Sequence, residues 1–302
     1  MNIQSNAMPE SFDSQRIAPA TSATRPMYWC VRRELWENRS IYIAPLAVAA
    51  VVLFGFLIAT IGRAMSTPDP ARRAAVLAEP NDFAALLIMG TTIVVGVFYC
   101  LDALHGERRD RSILFWKSLP VSDLTTVLSK VSIPLVVLPL LSFALTVSTQ
   151  WILLLLSTAV LPGSGQSVAA LWTHLSLFQV SLTLLYHLVT SHGLWYAPIY
   201  AWLLLVSGWA RRAAFLWAVL PLVAINVVEK IAFNTSYFAA MLKSRFMGGP
   251  DGAFTAGSMS MNPLTHLTPG QFLSSPGLWI GLAIAAAFLA AAVRLRRYQG
   301  PI

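Results

Sequence analysis

Long uncharged stretches alternate with short charged segments along the chain, and each long stretch suits a membrane-spanning helix. About 20 mostly apolar residues cross the hydrocarbon core of a bilayer, and somewhat fewer are enough where Arg or Lys flank them. The pattern predicts an all-α integral membrane protein with six transmembrane helices. The predicted spans are residues 41–61, 83–101, 131–161, 187–210, 213–228 and 277–293.

Residues 168–210 permit two topologies, because this stretch is uncharged and too long for one simple span. Either residues 168–186 form an interfacial helix before a single span, or the stretch forms two spans and the total is seven. Six spans place 15 of the 21 Lys and Arg on one side, as the positive-inside rule requires of the cytoplasmic side. We therefore expect six spans, with both termini and residues 102–130 in the cytoplasm. Residues 62–82 and 230–275 would then face outward.

The segment before the first span divides into a tail and a short helix. Residues 1–26 are polar and rich in Pro, Ser and Thr, so we expect a disordered cytoplasmic tail ahead of a transmembrane domain over residues 27–302. Tyr28, Val31 and Leu35 share one face at helical spacing, beside two tryptophans. This spacing predicts an amphipathic connector helix on the cytoplasmic surface, and ordinary flanking sequence is the alternative.

Composition agrees with a membrane protein. Hydrophobic residues make up 56% of the chain and charged residues 11%, against about 25% charged in soluble proteins. The net charge of +8 is explained by the positive-inside bias, and no polar face for binding nucleic acid is visible. Cys30 and Cys100 imply no disulfide framework and are expected to be free thiols.

A charged and aromatic segment connects the second and third predicted spans. Glu107 and Arg111 have the spacing of a helical i,i+4 pair, and an apolar knob at residues 113–116 follows. Leu119-Pro120 ends this helix, and a second helix can begin at Ser122-Asp123. An exposed apolar knob between charges indicates a docking surface, and an amphipathic loop resting on lipid headgroups is the alternative.

This segment resembles the cytoplasmic loop of ABC-2 type transporter permeases, where Glu-Arg is followed by Gly-Thr, Leu-Pro-Val-Ser and Lys. Those places hold Glu107-Arg108, Arg111-Ser112, Leu119-Pro120-Val121-Ser122 and Lys130 in this sequence. Arg111 departs from the usual Gly, and Asp123 departs from a common basic residue. The close match covers residues 107–130, and the predicted topology extends the resemblance over residues 27–297.

The resemblance implies the membrane subunit of an ATP-driven exporter in the bacterial inner membrane, working as a dimer with a second permease copy or homologue. Residues 107–118 would form a coupling helix seated in a groove of a separate ATPase subunit. The chain has no Gly-x-x-x-x-Gly-Lys-Ser/Thr motif, so ATP and Mg²⁺ would bind the partner and no cofactor would bind this chain directly. The implied coupling residues are Glu107, Arg108, Arg111, Ile113, Leu114, Phe115, Trp116, Leu119 and Pro120.

Two other classes compete with a transporter subunit. His174, His187 and His192 lack the spacing of a metal site, which argues against a membrane-embedded enzyme. A membrane sensor or assembly factor without transport is the other alternative. The predicted spans contain no Asp or Glu, which argues against proton-coupled transport. Apolar, aromatic-rich spans favour an amphipathic or hydrophobic substrate over a bare ion.

Glu229 and Lys230 lie at the outer end of the fifth predicted span, close to the membrane interface. Anchoring at the headgroups is the simpler interpretation of both residues. A carboxylate near the outer leaflet is costly, so we also expect Glu229 to be a candidate for the exit of the substrate path.

Overall fold

The computed structural model describes residues 24–66, 70–160, 181–182, 184–186, 188–246 and 269–300. All regular secondary structure in these residues is helical. The first helices are α1 (Thr24–Glu37), α2 (Ser40–Ser66), α3 (Pro70–Ala103), α4 (His105–Arg109), α5 (Ser112–Ser118) and α6 (Asp123–Ser132). A π-helical turn, π1 (Ile133–Val137), leads into α7 (Leu138–Val160). A second, π2 (Leu188–Trp195), precedes α8 (Ala197–Trp209), α9 (Ala214–Phe233), α10 (Tyr237–Phe246), α11 (Pro269–Ser274) and α12 (Pro276–Tyr298).

Five of the described helical stretches are long and apolar enough to cross a membrane, as expected for a multi-pass membrane protein. They are Ser40–Ile58, Phe83–Arg109, Asp123–Leu156, Ala214–Phe233 and Pro276–Tyr298. The fourth predicted span, residues 187–210, is not one uniform helix. It consists of π2 and the 13-residue helix α8. The predicted tail 1–26 lies almost wholly outside the described residues, as do residues 161–180 and 247–268.

Two helices are longer than the hydrophobic pattern predicted. Residues 62–82 were expected to form an outward connection, but α2 continues to Ser66 and α3 begins at Pro70. Helix α3 has 34 residues, or about 50 Å, which exceeds the roughly 30 Å hydrocarbon core. The predicted third span begins eight residues early, at Asp123. Pro134 cannot donate a helical hydrogen bond, and the π1 turn forms at this position.

Helix α8 is the centre of the bundle. It packs most extensively against α12 and α3, while α2, α3 and α7 pack against one another. Gly96 of α3 allows a close approach, because a Cβ there would lie 3.2 Å from the ring of Tyr200 on α8. Helix α9 is peripheral, and only Ala214 and Ala218 in it are buried.

Helix α1 forms where the spacing predicted a helix before the first span, and it packs along α6. Val31 and Leu35 face the core, as the helical spacing predicted. Tyr28 does not join them and is exposed, as are Trp29 and Trp36.

Both cysteines, Cys30 and Cys100, are free, as expected. Burial raises the pKa of the Cys30 thiol, which keeps it largely protonated at neutral pH.

Candidate partner-docking site

The segment after α3 is fixed by hydrogen bonds to the end of α8. The backbone N–H groups of Leu104 and His105 donate to the buried hydroxyl of Ser207, at 3.0 and 2.9 Å. The guanidinium of Arg108 donates to the backbone carbonyl of Gly208 at 2.6 Å and to that of Gly300 at 3.2 Å. Arg108 therefore satisfies a free carbonyl at the C-terminal end of α8 and holds the chain beyond α12 beside it.

Glu107 is buried and contacts three cations instead of Arg111. Its Oε1 lies 3.0 Å from Arg33 and 3.1 Å from Lys130, and its Oε2 pairs with Arg296. The predicted Glu107–Arg111 pair is wrong, because α4 ends at Arg109 and Arg111 lies beyond it. Glu107 thus joins α4 to α1, α6 and α12.

A second buried carboxylate, Glu34 of α1, shares the same lysine. Lys130 Nζ donates to Glu34 Oε1 at 2.8 Å, and the hydroxyl of Tyr99 donates to Glu34 Oε2 at 2.8 Å. Arg296 also lies 3.2 Å from Asp123, the first residue of α6. We call this set the ion network. It comprises Arg33, Glu34, Glu107, Asp123, Lys130 and Arg296.

The ion network balances three acids with three bases, and most of it is withdrawn from solvent. Glu34 and Lys130 are each 2% exposed, Arg296 is 5% exposed and Glu107 is 7% exposed. Buried charges are stable only when each has its partners, and removal of one partner leaves an uncompensated charge at a cost of about 3–5 kcal/mol. The ion network therefore favours one arrangement of α1, α4, α6 and α12.

The predicted coupling helix over residues 107–118 is broken into α4 and α5. The break falls at Asp110 and Arg111, and Arg111 has a left-handed backbone with φ of 58°. This conformation suits glycine, the residue that ABC-2 loops usually carry here. Arg111 therefore adopts a conformation that a side chain disfavours. The second helix, α6, begins at Asp123 as predicted, and the Ser122 side chain caps it by accepting from the N–H of Thr125.

Helix α5 presents two faces. Ile113 is buried, the ring of Trp116 lies 3.4 Å beneath the Arg33 guanidinium, and Lys117 Nζ donates to the carbonyl of Gln299 at 3.1 Å. Leu114 and Phe115 point away and are 59% and 60% exposed. We call these two residues the exposed pair. The knob expected over residues 113–116 is therefore only half available to a partner, because Ile113 and Trp116 anchor the helix.

The structure brings together Glu107, Arg108, Ile113 and Trp116 as the fixed base of the segment, with the exposed pair above. Leu119 and Pro120 form the exposed turn into α6. Glu229 is not part of this site. It lies 15 residues after Ala214, or about 22 Å along α9, at the opposite end of that helix.

Glu229 makes contacts of its own at the start of α10. Its Oε1 accepts from the Thr235 hydroxyl at 2.9 Å and from the N–H of Tyr237 at 2.7 Å. Its Oε2 accepts from the N–H of Phe238 at 2.9 Å. The carboxylate thus satisfies free N–H groups at the helix N-terminus, a use that the sequence did not suggest.

Sequence reasoning missed Glu34, Tyr99 and Arg296. Glu34 follows Val31 by three residues, so it occupies the apolar face of α1, and a lone acid on such a face indicates a buried partner. Arg296 is one of three basic residues after the last span, and nothing in the sequence separates it from Arg294 and Arg297. Only the packing of α12 against α6 identifies it.

Of the three histidines considered as ligands, His174 and His187 lie outside the described residues. His192 is buried in π2, with Nε2 3.2 Å from the hydroxyl of Tyr200. Within the described residues, no three His, Cys, Asp or Glu side chains come together as a metal site.

Comparisons with protein-family models, with curated proteins and with solved structures find no match.

Proposed function

We propose that this chain is the membrane-spanning subunit of an ATP-driven exporter of the ABC-2 type. The observation that carries the proposal is the segment from Glu107 to Lys130, whose residues resemble the ABC-2 loop. Two of the matching residues, Glu107 and Lys130, contact each other at 3.1 Å inside the ion network. A short helix with an exposed apolar pair, held on a rigid buried base, has the form of a docking element.

The proposed membrane topology has six spans with both termini in the cytoplasm. The five long helices supply five of them, and π2 with α8 supplies the fourth crossing as two consecutive helical pieces over residues 188–209. An even number of crossings returns the chain to its starting side. With the N-terminus in the cytoplasm, this topology would put the ion network and the exposed pair on the cytoplasmic side, together with most of the basic residues.

The proposed energy source is a separate P-loop ATPase that binds ATP and Mg²⁺ and docks on α5. Leu114 and Phe115 would enter an apolar pocket of that subunit, and Lys117 and Arg111 would lie at the rim of the contact. The proposed second permease copy would cover part of α9, which buries only two small residues in this chain. The substrate is left as an amphipathic or hydrophobic molecule moved outward.

The test is purification of the tagged full chain from its native host in mild detergent, with vanadate-sensitive Mg-ATP hydrolysis measured per mole of chain. The proposal expects a P-loop ATPase to co-purify and to hydrolyse ATP. The double variant Leu114→Ala/Phe115→Ala should lose at least tenfold of this activity, because buried anchor residues commonly contribute about 2 kcal/mol each.

The matched control is Leu124→Ala/Leu128→Ala, which removes two exposed leucines from α6 and leaves α5 unchanged. It should keep the ATPase. Equal retention of the ATPase by both double variants, at equal abundance in the membrane, would show that α5 is not the docking element.

A further inference from the structure

A groove lies where the connector helix meets the membrane helices. It has a volume of about 360 Å³, within the range of small-molecule sites, and its walls are almost wholly apolar. Four elements line it: α1 with Arg32, Leu35 and Trp36, α2 with Ile41 and Tyr42, π1 with Val137, and α7 with Leu141.

Arg32 forms no ion pair with the part of the chain that the structure describes. Its guanidinium lies 5.3 Å from the ring centroid of Trp29 and 5.4 Å from that of Trp36. Among the described residues no carboxylate lies within ion-pair distance of Arg32, whereas the adjacent Arg33 contacts Glu34, Glu37 and Glu107. A cation held between two indoles at the mouth of an apolar groove attracts an anion that has an apolar tail.

The position of the groove indicates which class of anion would bind there. Helix α1 precedes the first long apolar helix directly, and its exposed Tyr28, Trp29 and Trp36 are the residue types that concentrate at the membrane interface. The groove extends from this belt to α2 and α7, which are apolar enough to cross the bilayer. A phosphate at Arg32 would therefore lie at headgroup depth, with apolar walls leading toward the hydrocarbon.

We propose that this groove binds one anionic phospholipid, with an acyl chain along Leu35, Val137 and Leu141 and the headgroup phosphate on Arg32. The bound lipid would fill the space between α1, α2 and α7 and hold the connector helix against the bundle. The proposal depends on the membrane location of the chain and does not depend on ATP-driven transport.

The test is native mass spectrometry of the delipidated full chain in detergent. Phosphatidylglycerol and phosphatidylcholine with identical acyl chains are titrated separately. The unmodified chain should bind one phosphatidylglycerol about tenfold more tightly than phosphatidylcholine. The reason is that the net negative charge of the phosphatidylglycerol headgroup strengthens the charge-assisted hydrogen bonds that Arg32 donates to the phosphate. Equal binding of the two lipids, or binding of neither, would overturn the proposal.

Two pairs of variants locate the site. Arg32→Gln should weaken phosphatidylglycerol binding about tenfold, and Arg39→Gln, the same charge change at an exposed position outside the groove, should leave it unchanged. Leu141→Trp should block the groove, and Leu140→Trp, which adds the same bulk at an exposed neighbouring position, should not. Size-exclusion profiles confirm that each variant is folded.

Each outcome decides the matter. Loss of binding in Arg32→Gln and Leu141→Trp alone supports the proposal. Equal losses in Arg32→Gln and Arg39→Gln mean that lipid binds only by the general charge of the surface, and this overturns it. Because Arg32 is exposed and forms no ion pair in the described residues, Arg32→Gln remains informative even if Leu141→Trp fails to fold.

Discussion

Glu107 is the single residue with the largest expected effect on stability, because its carboxylate contacts Arg33, Lys130 and Arg296 together. Glu107→Gln should leave two buried cations short of a partner and destabilise the chain by about 3–5 kcal/mol. The measurement is the midpoint of thermal unfolding in detergent, followed by fluorescence-detected size exclusion. Asp110→Asn removes an exposed acid from the same segment and should change stability by less than about 1 kcal/mol. Equal midpoints for the two variants would contradict the role of the ion network.

A substitution at Arg111 is expected to raise the stability of the chain, whereas the one at Glu107 lowers it. Its φ of 58° is a conformation that a side chain disfavours, so Arg111→Gly should stabilise the chain by up to about 1 kcal/mol. Arg111→Ala removes the same charge but keeps a Cβ, and should give no such gain. The same thermal midpoint measures both. If Arg111→Ala and Arg111→Gly raise the midpoint equally, the gain comes from loss of charge and not from the backbone.

At the scale of elements, the start of α10 depends on Glu229. Glu229→Ala removes the acceptor for two backbone N–H groups and should speed chymotrypsin cleavage in α10 roughly fivefold or more, in line with the usual value of a helix cap. Lys230→Gln changes the adjacent charge without touching the cap and should match the unmodified chain. Cleavage at equal rates in the two variants would be inconsistent with capping.

The capping contacts of Glu229 also allow a test of its expected role at the exit of the substrate path. Glu229→Gln keeps one carbonyl acceptor for the helix and removes the charge. Loss of ATPase stimulation or transport in Glu229→Gln, with α10 still protected from protease, supports a role in the path. Near-native activity in Glu229→Gln and in Lys230→Gln alike leaves helix capping as the function of this carboxylate.

The sequence best predicts those elements whose structure depends on residues close to one another in the chain. The apolar runs locate the long helices, the Ser122 cap locates the start of α6, and helical spacing locates α1. The break at Arg111 is not predictable from this side chain, since arginine carries no preference for a left-handed backbone. The ion network is not predictable either, because Glu34, Glu107 and Arg296 are far apart in the chain and only tertiary packing joins them.

At the scale of the whole molecule, topology is the decisive prediction. We expect single cysteines introduced at Arg212 and at Gln299 to react with a membrane-impermeant thiol reagent only in inside-out vesicles, because six spans place both sites in the cytoplasm. The background replaces Cys30 and Cys100 with serine and alanine. A cysteine introduced at Met241 in α10 should react from the outside and serves as the control. Labelling of positions 212 and 299 from opposite sides would favour seven spans.

The ion network also has a consequence for biogenesis. The chain is made from its N-terminus, so Glu34, Glu107 and Lys130 are synthesised before Arg296 exists. Until α12 is synthesised, the unfinished network holds three acids against two bases, and the packing face of α8 is uncovered. The last helix therefore neutralises the charge and closes the bundle in one event. We therefore expect a chain that ends before α12 to be less stable than the complete chain, because it lacks both Arg296 and the helix that covers α8.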